Sequence, residues 1–384
     1  MATKKEKKVE KENLFLKIIL IMNLVVFTFI GVMLLLIFLQ LKNPSTSKSD
    51  ELNDFDFQVD NINYVESNGK VWNDQIFAPF VDITGWVSGD YSVNGALNLS
   101  KIMNETNIQY FNLGFITALS SKTISNNKID WGFGGFEVLS ENQNNSQYEG
   151  IKQVINEVRG NGGDVAISIG GLNEGNFFQV TNDIDILTNS YLEIVDGFNL
   201  TRLDLDIEGG SLAPYVDHSY NAKAIKKLQD LTNVEVVLTL PVMPEGLISS
   251  GLSTLNAYVS EGVDIKAVNI MAMCYGESYY DRYDTGTITA IDNTKNQIID
   301  SYKNIGITLS DKEGYNKVGV TTSIGYEGWG HPVFTTTMTK LVVDYAIEKQ
   351  INFTSYWSMN RDCMVDSNSG IYSKYEHALI NLKF

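Results

Sequence analysis

Cysteine, histidine and basic residues are all scarce in this 384-residue chain, and each scarcity closes a route. Two cysteines, Cys274 and Cys363, are too few for a disulfide-stapled scaffold, and a domain of this length needs no staple. Three histidines, His218, His331 and His377, lie far apart with no short ligand spacing, which argues against a zinc or non-haem iron centre. After residue 42 the chain carries 22 basic against 43 acidic side chains, a net charge near −21. Phosphate binding needs the opposite sign, so nucleic acid and anionic lipid are poor partners, while a neutral polymer remains acceptable.

The one long uncharged run is Ile18 to Leu41, 24 residues. As a helix it spans about 36 Å, enough to cross a hydrocarbon layer of about 30 Å. Lys4, Lys5, Lys7, Lys8, Lys11 and Lys17 precede it, against Lys42 and Lys48 just after, so the positive-inside bias predicts a cytoplasmic N-terminus and an extracellular remainder. A cleaved signal peptide is the rival. The run exceeds a usual signal core, and Gln40 to Ser49 offers no A-x-A type cleavage site, so an uncleaved single-pass membrane anchor is expected. The expected divisions are a basic cytoplasmic tail at 1–17, a transmembrane anchor at 18–41, a polar stalk at 42–74 and a single domain at 75–384.

From Phe77 onward, short β-rich runs alternate with helical patterns eight times, which predicts a parallel sheet of βα units. The strands are expected at Phe77–Gly85, Ile108–Ile116, Asp164–Gly171, Arg202–Glu208, Val234–Val242, Ala267–Tyr275, Val318–Gly325 and Phe353–Met359. Amphipathic stretches such as Tyr148–Arg159, Ala222–Leu231, Asn293–Asn304 and Thr335–Lys349 supply the helices. Eight such units in some 300 residues predict an α/β fold of the (β/α)8 TIM barrel type. An open doubly wound sheet is the alternative, but no glycine-rich phosphate loop follows the first strand.

The stretch Arg202 to Gly210, RLDLDIEGG, sets Asp204, Asp206 and Glu208 at alternate positions of an otherwise apolar strand. Successive strand residues point to opposite faces, so the acids share one face while Leu203, Leu205 and Ile207 share the other. Residues two apart are separated by roughly 6.5–7 Å, close enough for buried carboxylates to repel and for one to keep a proton near neutral pH. Acids held at unequal proton affinities suit general acid catalysis at a glycosidic bond. A divalent-cation site is the bland alternative, but such sites usually draw ligands from several elements, and here all three acids come from one strand. No metal and no cofactor is expected. In a parallel barrel the chemistry sits at the C-terminal strand ends, where Glu208, Gly170, Gly171, Tyr275 and Trp357 all fall.

With the acid triplet stand SIGG at Ser168–Gly171, NIMAMCYG at Asn269–Gly276 and YWSMNRD at Tyr356–Asp362. In this order the motifs resemble glycoside hydrolase family 18, and most of all its bacterial and archaeal chitinase branch, whose LTRLDFDIEGG is matched at Leu200–Gly210. The resemblance covers roughly residues 75 to 382. It implies that Glu208 protonates the leaving glycosidic oxygen, that Asp206 orients the substrate's N-acetyl group, and that Asp204 shares protons with Asp206. The acetamide is then the nucleophile, with net retention, an exception to the two-carboxylate scheme. Tyr275 is expected to hydrogen-bond the acetamide and Trp357 to floor the −1 sugar site. Gly171 is placed on the substrate side, although close packing accounts for Gly170 and Gly171 better than sugar contact. The insert Asp130–Glu137 puts Trp131 either at the wall of the cleft or in a self-packed loop.

Cys274 stands where this branch usually has Asp, in MAMDYG, and so belongs to the acetamide pocket by position. A neutral thiol removes one negative neighbour, so reduced activity or an acid-shifted pH profile is expected. Thr201 occupies the first acidic position of the wider family pattern, but LTR is usual in this branch. The expected function is hydrolysis of β-1,4-linked N-acetylglucosamine polymers at the cell surface. A non-catalytic receptor for the same glycans on the same fold, and an endo-β-N-acetylglucosaminidase acting on N-linked glycans, are the alternatives. The sequence assigns no oligomeric state.

Overall fold

A computed structural model describes residues 68–384 except 142, 174, 326–330 and 364–373. The basic tail, the anchor at 18–41 and the stalk up to residue 67 lie outside the described residues. Among the described residues no helix is long and apolar enough to cross a membrane.

The domain is α/β, with a curled parallel sheet. The first strand runs as Ile76–Phe77 and Phe80–Asp82. The second to eighth are Tyr110–Ala118, Asp164–Gly170, Arg202–Asp206, Glu235–Met243, Ile265–Ala272, Val318–Ser323 and Phe353–Trp357. Each pairs in parallel with its neighbour in chain order. The first strand serves both edges. Ile76 and Phe77 pair with Phe353 and Thr354 of the eighth strand, and Ala78 N donates to Thr354 O at 3.0 Å. Phe80–Asp82 then pair with Asn112–Gly114 of the second, where Asn112 N donates to Pro79 O at 2.9 Å.

The strands form where expected because most are apolar runs rich in Val, Ile, Leu and Phe and buried on both faces, as a helix-covered parallel sheet demands, the fourth being the exception with its acids on one face. Helices on the outside bury one stripe each. Ser146–Gly160 turns Ile151, Val154, Ile155 and Val158 inward, at spacings of three and four, and starts where Asn145 accepts from Gln147 N and Tyr148 N. The helix expected from Asn293 begins ten residues earlier, at Tyr283. Its first turns, YDTGTITA, contain poor helix formers, and tertiary contact supplies what propensity lacks: Tyr283 packs on Phe334, and a Cβ on Gly286 would sit 3.2 Å from Pro244.

A second apolar cluster fills the N-terminal mouth of the sheet, with Trp72, Ile76, Tyr110, Ala166, Val237, Ala267 and Phe353. The entry segment lies across it. Lys70 N and Trp72 Nε1 both donate to Asp164 at 2.9 and 3.0 Å, and Arg202 stacks over the Trp72 ring at 4.5 Å. The N-terminal mouth is thereby plugged, leaving the C-terminal mouth for a site.

Candidate active site

The fourth strand delivers its acids as the alternation requires. Leu203, Leu205 and Ile207 are wholly buried on the helix side, and Asp204 and Asp206 are buried on the inner side. The strand ends at Asp206, two residues before the expected Glu208. Ile207 N still donates to Thr239 O at 3.0 Å, and Glu208 keeps an extended backbone before the chain turns at Gly209. Glu208 is therefore half-buried at the lip of the mouth, above two deeply placed aspartates.

The three environments differ sharply. Asp204 accepts from Ser168 Oγ at 2.5 Å and Thr239 Oγ1 at 2.6 Å. Burial pushes its carboxyl up to about 6, and those hydrogen bonds with the Arg202 charge hold it from rising further. Asp206 is raised well above the usual carboxylate range by burial, then by the charges of Glu208 and Asp204, and its Oδ1 has no hydrogen-bond partner among the described residues. Burial pushes Glu208 up to about 7. The hydrogen bonds and the Arg202 charge thus favour the anion at Asp204, burial and like charge favour the proton at Asp206, and Glu208 is poised between acid and base near neutral pH.

Gly170 is fixed by Asp206. Its φ of +119° is glycine territory, and a Cβ there would sit 2.0 Å from Asp206 O. Asn176, fully buried in the loop after the third strand, donates to Asp206 O at 3.3 Å and Ser211 Oγ at 2.9 Å. Gly171 serves packing: a Cβ would meet the Phe115 ring at 3.1 Å. Phe115 in turn stacks on Trp357, with centroids 5.5 Å apart and planes at 22°. Trp357 ends the eighth strand, half-buried, so an aromatic floor reaches from the second strand to the eighth.

Tyr275 lies just beyond the sixth strand, buried, with its hydroxyl 3.3 Å from Thr287 Oγ1 and its phenol raised by burial. Cys274 is exposed beside it, in a left-handed conformation with φ 55°. Trp131 does not join the site. Its ring is buried against Phe133 and Phe198, and its Nε1 donates to Glu193 of the helix Ile184–Gly197 at 3.2 Å. The large indole found a hydrophobic pocket and a polar partner under that helix, so the cleft-wall alternative is replaced by packing. Thr201 is also remote in role, since its hydroxyl donates to Lys70 O at the plugged mouth.

Most of YWSMNRD is structural. Asn360 exchanges hydrogen bonds with the main chain of Asp82, Arg361 donates to Ser323 Oγ and Ile324 O, and Asp362 accepts from Tyr356 and Ala378 N. Residue reasoning missed Phe115, Asn176 and the partners of Asp204. Thr239 stands in the sequence as a polar residue in the middle of an apolar strand; Asn176 leaves no signal. Among the described residues no group of three His, Cys, Asp or Glu side chains is placed to hold a metal ion.

No family model matches the chain. Over 306 residues, 76% of this chain, it is 29% identical to a probable bifunctional chitinase/lysozyme of Escherichia coli K12 and equally to endochitinase 11 of Metarhizium anisopliae. It spans 31% and 53% of the lengths of those two relatives. The catalytic domain of a hyperthermophilic chitinase from Pyrococcus furiosus superposes with a TM-score of 0.68 at 25% identity, covering 82% of this chain and 96% of that domain.

Proposed function

We propose that this chain, a chitinase-like glycoside hydrolase of family 18, cleaves β-1,4 bonds between N-acetylglucosamine units with the substrate's own acetamide as nucleophile. The observation that carries the reading is a pair of acids in sequence: Glu208, pushed up to about 7 at the lip, above Asp206, buried with an unpartnered Oδ1. Glu208 gives its proton to the glycosidic oxygen as the C1–O bond breaks. The acetamide oxygen bonds to C1, the acetamide N–H donates to a carboxyl oxygen of Asp206, and the single negative charge of the Asp204 and Asp206 pair stabilises the positive charge that develops on the acetamide nitrogen. Water then attacks C1 from the vacated face, giving its proton to Glu208 as the bond between C1 and the acetamide oxygen breaks and the acetamide is restored, with net retention. Tyr275 orients the acetamide, and Trp357 stacks under the sugar whose bond is cut. The placement on a (β/α)8 barrel held outside the cell by the segment Ile18–Leu41 belongs to the same proposal and rests on the apolar run and its flanking lysines.

The test is product release from soluble chito-oligosaccharides between pH 4 and 8, beside the Glu208→Gln variant. Hydrolysis by the parent, and a loss of at least about 10³-fold in the variant, is the expected result. Binding without turnover in both proteins would make the chain a glycan receptor and end the proposal.

A further inference from the structure

A line of polar side chains crosses five adjacent strands inside the sheet. Ser168 lies on the third strand, Asp204 on the fourth, Thr239 on the fifth, Asn269 on the sixth and Thr321 on the seventh, and all are at least 98% buried. Thr239 pairs directly with Asn269, and Thr321 sits two residues above Gly319, the partner of Asn269, so the line climbs as it goes round. Its hydrogen bonds run one way. Thr321 Oγ1 donates to Asn269 Oδ1 at 2.9 Å, Asn269 Nδ2 to Thr239 Oγ1 at 2.9 Å, and Thr239 Oγ1 to Asp204 Oδ1 at 2.6 Å. Ser168 closes the other oxygen.

We propose that Thr239, Asn269 and Thr321 are positioning residues that hold Asp204 as the anion and so assign the shared proton to Asp206. The inference rests on the function proposed above for its kinetic consequence, but not for its geometry. A hydroxyl has one proton. Because Thr239 accepts from the Asn269 amide, its own proton points at Asp204 Oδ1, and Ser168 donates to Oδ2, so both oxygens accept, the arrangement that favours the carboxylate over the protonated acid. In this orientation Thr321 gives its proton to Asn269 Oδ1. Turning the amide over would reverse the line and let Thr239 accept from a protonated Asp204. Asp206 Oδ1, by contrast, receives no hydrogen bond from any described residue. Hydrogen bonds offered to one carboxylate and withheld from its neighbour decide which of the two ionises. The charges acting on Asp204 are Arg202 and Asp206 on its own strand and, through Asp206, Glu208; Ser168 and Thr239, which face it from the flanking strands, are neutral.

The reacting form needs one proton on the Asp204 and Asp206 pair and one on Glu208, so the acid limb of kcat/KM reports the pair taking up a second proton. Removing a donor from the anion raises the pH at which this occurs. Thr239→Val is expected to move the acid limb up by about one pH unit, Thr239→Ser to restore it, and Thr321→Val to move it the same way by less. Neutron diffraction on the deuterated parent near pH 7 should show a deuteron on Asp206, none on Asp204, and the Thr239 deuteron aimed at Asp204. Rate loss at every pH with the limb unmoved in both valine variants, or a deuteron on Asp204, overturns the proposal. A shift in Thr239→Val with none in Thr321→Val removes Asn269 and Thr321 from it. The diffraction measurement needs neither turnover nor a variant, so it separates this inference from the hydrolysis assay.

Discussion

At the N-terminal mouth of the sheet buried charges meet partners of opposite sign, whereas at the C-terminal mouth Asp206 and Glu208 make no ion pair with any described residue. Arg159 Nε bonds Asp164 at 2.8 Å with both side chains almost wholly buried. Arg202 bonds Glu235 at 2.6 Å, and Lys266 bridges Glu235 and Asp74 at 3.0 and 2.8 Å. The Asp164 carboxylate also takes Lys70 N and Trp72 Nε1. Satisfied charge fixes one end of the fold, and at the other Asp206 and Glu208 are held without a paired cation, at a cost in stability. The difference lies in what stands beside each acid: Arg159, Arg202 and Lys266 at one end, and no cation paired with Asp206 or Glu208 among the described residues at the other.

The sharpest break of this comparison is Asp164→Ala, which strands Arg159 in the interior. Unfolding in urea should show a loss of about 3–5 kcal/mol while turnover per folded molecule stays as it was. Equal loss of turnover would mean the two mouths are not separable.

Glu208→Gln tests the opposite end through pH. The folded-state pKa of Glu208, about 7, lies above its unfolded value, so the folded protein holds the proton more tightly and stability falls as pH rises between the two values. The penalty is absent at pH 4, develops up to pH 7 and is constant above it, at most about 3 kcal/mol. The variant should match the parent's stability at pH 4 and exceed it at pH 8. A Tm difference that is the same at both pH values would refute the assigned strain.

Gly170→Ala is expected to injure both properties at once, because the strained φ and the 2.0 Å approach to Asp206 O sit in the site itself. A stability loss of about 1–3 kcal/mol with a parallel fall in kcat is predicted, and an unchanged kcat would show that the Asp206 main chain is free to move. The smallest effect belongs to Cys274→Asp. A carboxylate at this exposed position adds a negative neighbour and should move the activity profile toward higher pH; no change in rate or profile would end that idea.

Much of this was legible before any coordinates. The eight strand positions follow from apolar runs between turn residues, and the split of Asp204 and Asp206 from Leu203 and Leu205 follows from the two-residue period of a strand. Strand ends were read less well, because an extended residue such as Glu208 continues the pattern after pairing has stopped. The first turns of the helix from Tyr283 were illegible, since contacts with Phe334 and Pro244 stabilise a segment of low intrinsic propensity. Trp131 was undecidable in sequence, because an aromatic residue in a glycine-rich insert fits a cleft wall and a packed hairpin equally.

By itself, the sequence determined the βα order, the strand that carries the acids and the face they share, since these depend only on local periodicity. Which acid keeps the proton was decided by the tertiary structure. Ser168, Thr239, Asn269 and Thr321 come from four other strands, and only the curl and register of the sheet bring them into one line ending on Asp204. Burial likewise belongs to the assembled fold, and it is burial that raises Asp206 and Glu208. Proton affinity is set by what surrounds a carboxyl group, and those surroundings are distant in the chain.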